Sequence, residues 1–219
     1  MRVRYPNHLT IGHCDELACH LARHCAILLT MKFCPDCGQP VALRVPEGDQ
    51  LPRAVCEHCG AVHYENPRVV VGCIPEWAGR ILLCRRAIPP RRGYWTAPAG
   101  FLEIGESLHA AAARETLEEA LAQVEIGSLI SVVNVLDAAQ VHVMFRARLL
   151  NPEHGAGIES LETALYAEAQ IPWDEIAFES VRFALTRYFA DRQAQVERLH
   201  FHDLRRSVRG PGSGGTPPP

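Results

Sequence analysis

The sequence of 219 residues predicts an α+β fold in which a mixed β-sheet carries helices on its faces and follows a small metal-stabilised unit. Three observations support this prediction. Two C-x-x-C pairs lie between residues 34 and 59, strand-like runs outnumber helical runs after residue 66, and the turns between these runs are short. Hydrophobic residues make up 47% of the chain, which is enough to bury a core of this kind.

Composition and charge narrow the class of protein. A formal net charge of −3 argues against a protein that is held on nucleic acid by charge alone. No apolar stretch approaches the roughly 18 to 20 residues that a transmembrane helix requires. The first residues also do not show the basic end and apolar run of a secretory signal. We therefore expect a cytoplasmic protein with neither nucleic acid nor a membrane as its partner.

The chain divides into four segments by composition and pattern. Residues 1–30 carry four histidines and three cysteines but no helix cap followed by an apolar stripe, so we expect a disordered or spurious extension. A second Cys/His metal site is the alternative for this segment. Residues 31–66 hold the two C-x-x-C pairs, and residues 67–194 hold most of the strand and helix patterns. Residues 195–219 form a tail, which its glycines and prolines predict to be disordered from about residue 207.

Strand and helix patterns define the main domain. The strand-like runs are Arg68–Ile74, Arg80–Arg86, Glu125–Leu136, Val141–Leu150 and Ala164–Ala167. One helix is predicted from Ser107 to about Ala122, and a second from Glu179 to about Ala194. The second helix places four apolar side chains on one stripe at helical spacing. They are Val181, Leu185, Tyr188 and Phe189.

The two C-x-x-C pairs predict a zinc site. The four cysteines are Cys34, Cys37, Cys56 and Cys59. Each pair lets two thiolates converge on one ion from a tight turn, and glycine follows the second cysteine of each pair. Four thiolates suit a closed, tetrahedral, structural zinc ion, whereas a redox dithiol would need one pair. A nucleic-acid-binding ribbon is the alternative, but the linker lacks the basic and aromatic cluster that such a function favours.

The helix that begins near Ser107 is rich in carboxylates. Glu115, Glu118 and Glu119 stand at i, i+3 and i+4, so they share one helical face. Like charges this close need a cation among them, and oxygen ligands favour Mg²⁺ or Mn²⁺ over zinc. A solvated acidic face is the alternative interpretation. We expect the opposite, apolar face to seat the helix on the sheet, and that face comprises Ala110, Ala113, Leu117 and Leu121.

These glutamates belong to a longer pattern. Gly100, five residues, Glu106, seven residues, Arg114-Glu115-Thr116, one residue and Glu118-Glu119 together resemble the Nudix box. The chain departs from that box at Thr116, where an aliphatic residue is usual, and at Leu121, where glycine usually ends the helix. Since leucine resists the left-handed conformation, we predict that the helix runs past Leu121 to about Ala122 or Gln123, with Leu121 on the apolar face.

The resemblance extends over roughly residues 32–190. The C-x-x-C unit followed by residues 66–72 and 82–86 is similar to zinc-ribbon Nudix proteins. Residues 157–162 and 171–178 resemble the bacterial and plant-type group linked to FAD and ADP-ribose hydrolysis. The Ser-Gln-Pro-Trp-Pro-Phe-Pro signature of the ribbon-bearing NADH pyrophosphatases does not occur after the box, which disfavours NADH as the preferred substrate. The resemblance implies an α/β/α Nudix sandwich preceded by a zinc ribbon.

The resemblance also implies roles for individual residues. Glu115, Glu118 and Glu119 are expected as ligands of the catalytic Mg²⁺ or Mn²⁺, with Ala99 and Gly100 beside them and the Ala99 carbonyl as an added oxygen ligand. The same resemblance assigns supporting roles to four further charged residues: Arg114 to hold the glutamates, Glu106 to orient Arg114 or reach a metal through water, and Glu159 and Glu162 as candidate general bases on a flexible glycine-rich loop.

The sequence therefore predicts an enzyme that acts on acid anhydrides. We expect it to hydrolyse the pyrophosphate bond of a nucleoside diphosphate linked to a group X, with FAD or ADP-ribose as the substrate and AMP as a product. The alternatives are a pyrophosphatase of NADH or CoA, a non-catalytic nucleotide-sensing module of the same fold, and a zinc-ribbon scaffold. The expected partner is a small-molecule nucleotide, with a homodimer as a further possibility.

Overall fold

The computed structural model describes residues 31–205. The expectations for residues 1–30 and for disorder from about residue 207 therefore lie outside the described residues. The chain divides after Asn66 into two compact units. Among residues 31–205, no helix has the length and apolar character that crossing a bilayer would require.

The first unit is a small three-stranded antiparallel sheet. Its strands are β1 (Val41–Arg44), β2 (Arg53–Cys56) and β3 (Val62–His63). The two C-x-x-C turns have the same backbone geometry, because the amide of Gly38 donates to the Cys34 carbonyl at 2.8 Å and the amide of Gly60 donates to the Cys56 carbonyl at 2.9 Å. Both glycines have positive φ, a conformation that glycine adopts without the usual steric cost. The glycines thus shape the turns that present the cysteines.

The second unit contains a mixed eight-stranded sheet. Its strands are β4 (Arg68–Trp77), β5 (Arg80–Arg86), β6 (Trp95–Thr96), β7 (Ala99–Phe101), β8 (Val124–Val135), β9 (Gln140–Leu149), β10 (Ser160–Tyr166) and β11 (His200–Leu204). The main order is β10-β5-β4-β9-β8-β11, while β6 pairs with β5 and β7 pairs with β4. The β4–β9 and β8–β11 pairs are parallel and the remaining pairs are antiparallel.

Two helices cover opposite faces of this sheet. They are α1 (Leu108–Ala120) and α2 (Glu179–Ala194). Successive strand residues point to opposite faces. In β5, Leu82 and Cys84 accordingly pack in a cluster with α1, whereas Ile81 and Leu83 pack in a cluster with α2. The predicted α+β sandwich with a mixed sheet is confirmed, and α2 buries the predicted apolar stripe.

The end of α1 differs from the prediction. Ser107 caps the helix as expected, since its hydroxyl accepts a hydrogen bond from the Ala110 amide at 3.2 Å. The helix nevertheless ends at Ala120, and Leu121 adopts the left-handed conformation with φ 49°. Its side chain is 57% exposed, so the prediction that Leu121 continues the helix on the apolar face is wrong. Leucine accepts a conformation that costs roughly 1–2 kcal/mol because the following chain must leave the helix here.

The buried face of α1 also differs from the prediction. Its buried residues are Ala111, Ala112, Glu115, Thr116, Glu119 and Ala120. Leu117 is 49% exposed, so the apolar face that was expected to seat the helix faces away from the sheet. Small residues form the contact with the sheet instead, since Ala111 and Ala112 pack against Val71 and Cys73 of β4. The helix therefore turns two of its glutamates inward.

The predicted strand runs all form, with ends shifted by a few residues. The short strands β6 and β7 and the edge strand β11 were not predicted. Strand β11 is held by Asp191 at the end of α2, which accepts hydrogen bonds from Arg146 at 2.8 Å and from His200 Nε2 at 3.0 Å. The Arg198 amide also donates to Asp191 at 3.2 Å. Burial alone would raise the pKa of Asp191, but these hydrogen bonds outweigh it and hold the pKa below its usual value.

Candidate active site

The inward face of α1 carries two buried carboxylates. Glu115 is 8% exposed and Glu119 is 6% exposed, one helical turn further along. The side chain of Glu118 is 58% exposed and lies at the rim. The predicted carboxylate cluster is therefore present, but it is a partly buried site and not a solvent-facing one. One departure from the usual pattern is Thr116, which is buried where an aliphatic residue is usual. Its hydroxyl donates a hydrogen bond to the Ala112 carbonyl at 2.8 Å, so the buried polar group has a partner.

Arg114 connects the carboxylates of the cluster. Its Nε and Nη2 atoms donate to the two oxygens of Glu106 at 2.9 Å and 3.0 Å. Its Nη1 atom donates to Glu115 at 2.7 Å and to Glu118 at 3.1 Å. The remaining Nη2 contact reaches the Phe101 carbonyl at 3.1 Å. Such charge-assisted bonds fix both the position and the charge of the carboxylates, as expected for the pair of Glu106 and Arg114.

Strand β7 brings backbone close to the same carboxylates. The Ala99 amide donates to Glu119 Oε2 at 3.1 Å. A Cβ atom at Gly100 would lie 2.3 Å from the carboxylate of Glu115, so only glycine allows this approach. The structure thus places both residues beside the carboxylates, Ala99 through its amide and Gly100 through the absence of a side chain. The role of the Ala99 carbonyl as an added metal ligand stays a prediction.

Burial and mutual repulsion perturb both inward carboxylates. Desolvation raises the pKa of Glu119 to about 7, and the charges of Glu115 and Glu159 act in the same direction, against the hydrogen bond from Ala99 and the charge of Arg86. Desolvation also raises the pKa of Glu115, while Arg114 opposes the shift. By contrast, the hydrogen bonds from Arg114 hold the pKa of Glu106 below its usual range. Perturbed carboxylates of this kind cluster at functional sites.

A loop that carries Glu159 closes the end of α1. The amides of Gly155 and Gly157 donate to the carbonyls of Ala120 at 2.8 Å and Glu119 at 3.1 Å. A Cβ atom at Gly157 would lie 1.7 Å from the Glu118 carbonyl oxygen. The Glu159 carbonyl in turn accepts from the Ala87 amide at 2.8 Å. The loop is therefore joined by backbone hydrogen bonds to the end of α1 and to the residue after β5, and its flexibility stays a prediction.

The two candidate bases lie in different surroundings. Glu159 is exposed, and its charge raises the pKa values of both Glu115 and Glu119. Glu162 pairs with Arg85 at 3.9 Å. The structure therefore brings Glu159 to the carboxylate cluster and places Glu162 beside Arg85. Arg86, which also acts on Glu119, was not identified as a site residue from the sequence, although the two consecutive arginines at the end of a strand were visible.

The donor atoms of this cluster fit a divalent magnesium or manganese ion. Glu115, Glu118, Glu119 and Glu159 offer only oxygen ligands, which Mg²⁺ and Mn²⁺ prefer. Two of these carboxylates are desolvated and repel each other, and a bound cation would relieve both penalties. The residues therefore fit the metal-dependent chemistry that the sequence pattern indicated.

The ribbon unit gathers the second set of metal-binding side chains. The Sγ atoms of Cys34, Cys37, Cys56 and Cys59 all lie within 4.8 Å of one another. The separation is 3.7 Å between Cys34 and Cys59 and 3.5 Å between Cys37 and Cys56. Four convergent thiols fit one tetrahedral zinc ion. His63, which the sequence reasoning missed, places its Nε2 atom 3.3 Å from Cys34 Sγ, and its position four residues after Cys59 was the available signal.

A mixed sheet between two helices, with a carboxylate-lined helix and an arginine that organises it, fits the class of proteins that bind divalent cations through oxygen ligands. Comparison with known proteins agrees with this class. Residues 66–155 match the NUDIX domain model, and residues 32–65 match the model described as Nudix N-terminal, a zinc ribbon. The crystal structure of a NUDIX hydrolase from Nitrosomonas europaea is 51% identical, covers 80% of this chain and 99% of its own, and superposes with a TM-score of 0.77. The chain belongs to the Nudix hydrolase family and carries an N-terminal zinc-ribbon domain.

Other relatives show how far the similarity extends. A MutT NUDIX hydrolase from Burkholderia pseudomallei is 29% identical, covers 56% of this chain and 98% of its own, and has a TM-score of 0.51. The NAD-capped RNA hydrolase NudC of Salmonella heidelberg is 39% identical over 90 residues, which are 40% of this chain and 32% of that protein. The chain spans about a third of the length of the curated relatives it matches.

Proposed function

We propose that this enzyme hydrolyses the pyrophosphate bond of FAD or ADP-ribose and releases AMP. The observation that carries the chemistry is the partly buried cluster of Glu115, Glu118 and Glu119, held by Arg114 and approached by Glu159. The choice of X rests on the resemblance of residues 157–162 and 171–178 to the FAD and ADP-ribose group, and on the missing NADH signature.

Each residue of the cluster has a distinct role in this proposal. Glu115, Glu118 and Glu119 hold the catalytic cations, which when bound neutralise the phosphate charge and lower the pKa of water. Arg114 fixes the orientation of Glu115 and Glu118 through its bonds of 2.7 Å and 3.1 Å. Glu159 accepts the proton of the attacking water, because it is the exposed carboxylate that acts on the cluster from outside α1. Glu106 anchors Arg114 from the other side.

The zinc ion of the ribbon has a structural role in this proposal. Cys34, Cys37, Cys56 and Cys59 fill all four positions of a tetrahedral ion, so none remains for water or substrate. His63 supports the site by hydrogen bonding to Cys34. Zinc thus stabilises the ribbon unit, and the hydrolytic chemistry belongs to the oxygen-ligand cluster of α1.

NAD-capped RNA is a second candidate substrate. The observation that favours it is the similarity to proteins named NAD-capped RNA hydrolase NudC from Salmonella heidelberg and Edwardsiella ictaluri, at 39% and 38% identity. The net charge of −3 and the missing signature favour a small nucleotide instead.

A substrate panel tests the proposal. FAD, ADP-ribose, NADH, CoA and an NAD-capped RNA are incubated with the enzyme and Mg²⁺. The release of AMP is quantified for FAD, ADP-ribose and NADH, that of adenosine 3′,5′-bisphosphate for CoA, and that of the cap for the RNA. We expect the highest kcat/KM for FAD or ADP-ribose. A preference for NADH or the capped RNA would overturn the choice of X, and the absence of turnover on every substrate would favour a nucleotide-sensing module.

Two variants separate the candidate bases. Glu159→Gln removes the proton acceptor and keeps the shape, so kcat is expected to fall by roughly 10²-fold or more. Glu162→Gln makes the same change beside Arg85, and its loss of rate should be at least about tenfold smaller. Equal losses in both variants would argue against Glu159 as the base.

A further inference from the structure

Arg86 occupies the end of β5 on the side of the sheet that faces the carboxylate helix. Leu82 and Cys84 of the same strand pack in one cluster with Ala120 of α1. Arg86 follows two residues later, and alternation along a strand keeps it on that face. The next residue, Ala87, donates its amide to the Glu159 carbonyl at 2.8 Å. The backbone of Arg86 is therefore tied to the loop that carries the proposed base.

The guanidinium of Arg86 is held in place, but not all of its hydrogen-bond donors are used. Its Nε atom donates to the Pro90 carbonyl at 2.9 Å, and the group lies 5.0 Å above the centre of the Phe178 ring. Within residues 31–205, no carboxylate lies at ion-pair distance from it, and its two terminal nitrogens make no hydrogen bond. Two other arginines near the site differ in this respect. Arg114 is bonded to three glutamates, and Arg85 pairs with Glu162 and donates to the Gly93 carbonyl at 2.8 Å.

Two contacts restrict the guanidinium of Arg86, the hydrogen bond from its Nε atom to the Pro90 carbonyl and the stacking over the Phe178 ring. An arginine that is anchored at Nε and over an aromatic ring, with both terminal nitrogens available, has already lost much of the side-chain freedom that binding would otherwise cost. Its fork of donors matches the paired oxygens of a phosphate.

We propose that Arg86 binds the diphosphate of the substrate through its two terminal nitrogens. This inference rests on the proposed function, because it concerns the same site. A diphosphate brings further negative charge to a site already rich in carboxylates. Arg86 supplies a fixed positive charge beside those carboxylates, and thereby positions the anion that is to be cleaved.

Binding of ADP, a nucleoside diphosphate, tests this inference without requiring turnover. Affinity is measured by calorimetry with Mg²⁺ present for the wild-type protein, Arg86→Gln, Arg86→Lys and the matched control Arg85→Gln. A hydrogen bond to a charged group contributes about 1.5–3 kcal/mol, so Arg86→Gln should weaken ADP binding by roughly 10- to 100-fold. Arg86→Lys keeps the charge but loses the fork, so an intermediate loss is expected. Arg85→Gln should change ADP affinity by less than about twofold, because Arg85 is engaged elsewhere.

Adenosine distinguishes phosphate binding from a purely structural role. It lacks the diphosphate, so Arg86→Gln should weaken ADP binding far more than adenosine binding, and KM for a cleaved substrate should rise more than kcat falls. If Arg86→Gln does not fold, Arg86→Lys decides in its place. ADP affinity within about twofold of wild type in the variant that folds, an equal loss for adenosine, or no ADP binding by the wild-type protein would each overturn the inference. Arg86-dependent ADP binding without cleavage of any panel substrate would instead refute the proposed function alone.

Discussion

Replacing Glu119 with glutamine should separate catalysis from stability. The carboxylate of Glu119 is buried against the sheet, and its Oε2 atom accepts the Ala99 amide at 3.1 Å. Glutamine keeps the shape of the side chain, and its amide oxygen can accept the same hydrogen bond. The substitution therefore removes a negative charge while leaving the packing of α1 in place.

The expected gain in stability follows from the perturbed pKa. The ordinary pKa of 4.5 rises to about 7 in the folded protein. Between these two values the unfolded chain ionises and the folded protein does not, so metal-free stability falls as the pH rises. Above pH 7 the ionised Glu119 lowers the free energy of unfolding of the metal-free protein by roughly 3 kcal/mol. Glu119→Gln abolishes this loss, which should raise the metal-free melting temperature at pH 8 by roughly 6–12 °C, with a much smaller gain near pH 5.

Activity should move in the opposite direction. A lost charged ligand weakens both charge neutralisation and water activation, each of which contributes several kcal/mol, so AMP release should fall by roughly 10²-fold or more. Calorimetric melting with EDTA and AMP release with Mg²⁺ are measured on the same preparation. Glu125→Gln, an exposed partner of Arg148 on β8, makes the same chemical change and should affect neither reading. Near wild-type turnover in Glu119→Gln would refute the metal-ligand assignment, and a pH-independent melting temperature in the wild-type protein would refute the burial argument.

Three further predictions concern stability and the zinc site. Leu121→Gly should stabilise the protein by about 1 kcal/mol in urea unfolding, because glycine adopts the left-handed conformation without the steric cost. Gln195→Gly, at the equivalent position after α2, should act in the same direction. Asp191→Asn should destabilise by about 3 kcal/mol at pH 7, since the largely buried guanidinium of Arg146 loses its ionised partner. The lowered pKa of Asp191 means that its contribution is present above its unfolded pKa and is lost as the pH falls through its folded pKa. Wild-type protein should contain about one zinc per chain, Cys37→Ser should lose it, and His63→Ala should release it faster to a chelator.

Specific outcomes would contradict these predictions. An unchanged or lower stability in Leu121→Gly would mean that contacts of the leucine outweigh its backbone strain. Equal melting curves for Asp191→Asn and the wild-type protein across acidic pH would show that the bonds to β11 contribute little. Zinc retention by Cys37→Ser at full stoichiometry would remove that thiol from the site.

Local signals were sufficient for most of the fold. Strand β5 and helix α2 begin and end at the predicted residues, because their patterns are interrupted by turn residues on both sides. The glutamates at i, i+3 and i+4 identified the helix that carries the candidate site. The four cysteines converge as their spacing predicted.

The remaining features depend on distant contacts. Hydrophobic periodicity assigned Leu117 and Leu121 to the buried side of α1, whereas a narrow gap beneath the helix admits only small residues and the carboxylates themselves. Strand β11 reads as a polar segment, His-Phe-His-Asp-Leu, and it forms because Asp191 and β8 lie beside it. Glu159 and Glu162 were equivalent in the sequence, whereas in the structure Glu162 pairs with Arg85 and the charge of Glu159 acts on Glu115 and Glu119.

Because α1 lies close to the sheet, the packing of the core and the positions of Glu115 and Glu119 both depend on one layer of atoms. Ala111 and Ala112 pack against Val71 and Cys73 of β4, and a Cβ atom at Gly100 of β7 would lie 2.3 Å from the carboxylate of Glu115. A larger residue in this layer would lift the helix, and Glu115 and Glu119 would move with it. Larger core residues on the α2 side are therefore expected to leave the two carboxylates in place, whereas on the α1 side each added methyl group alters their spacing.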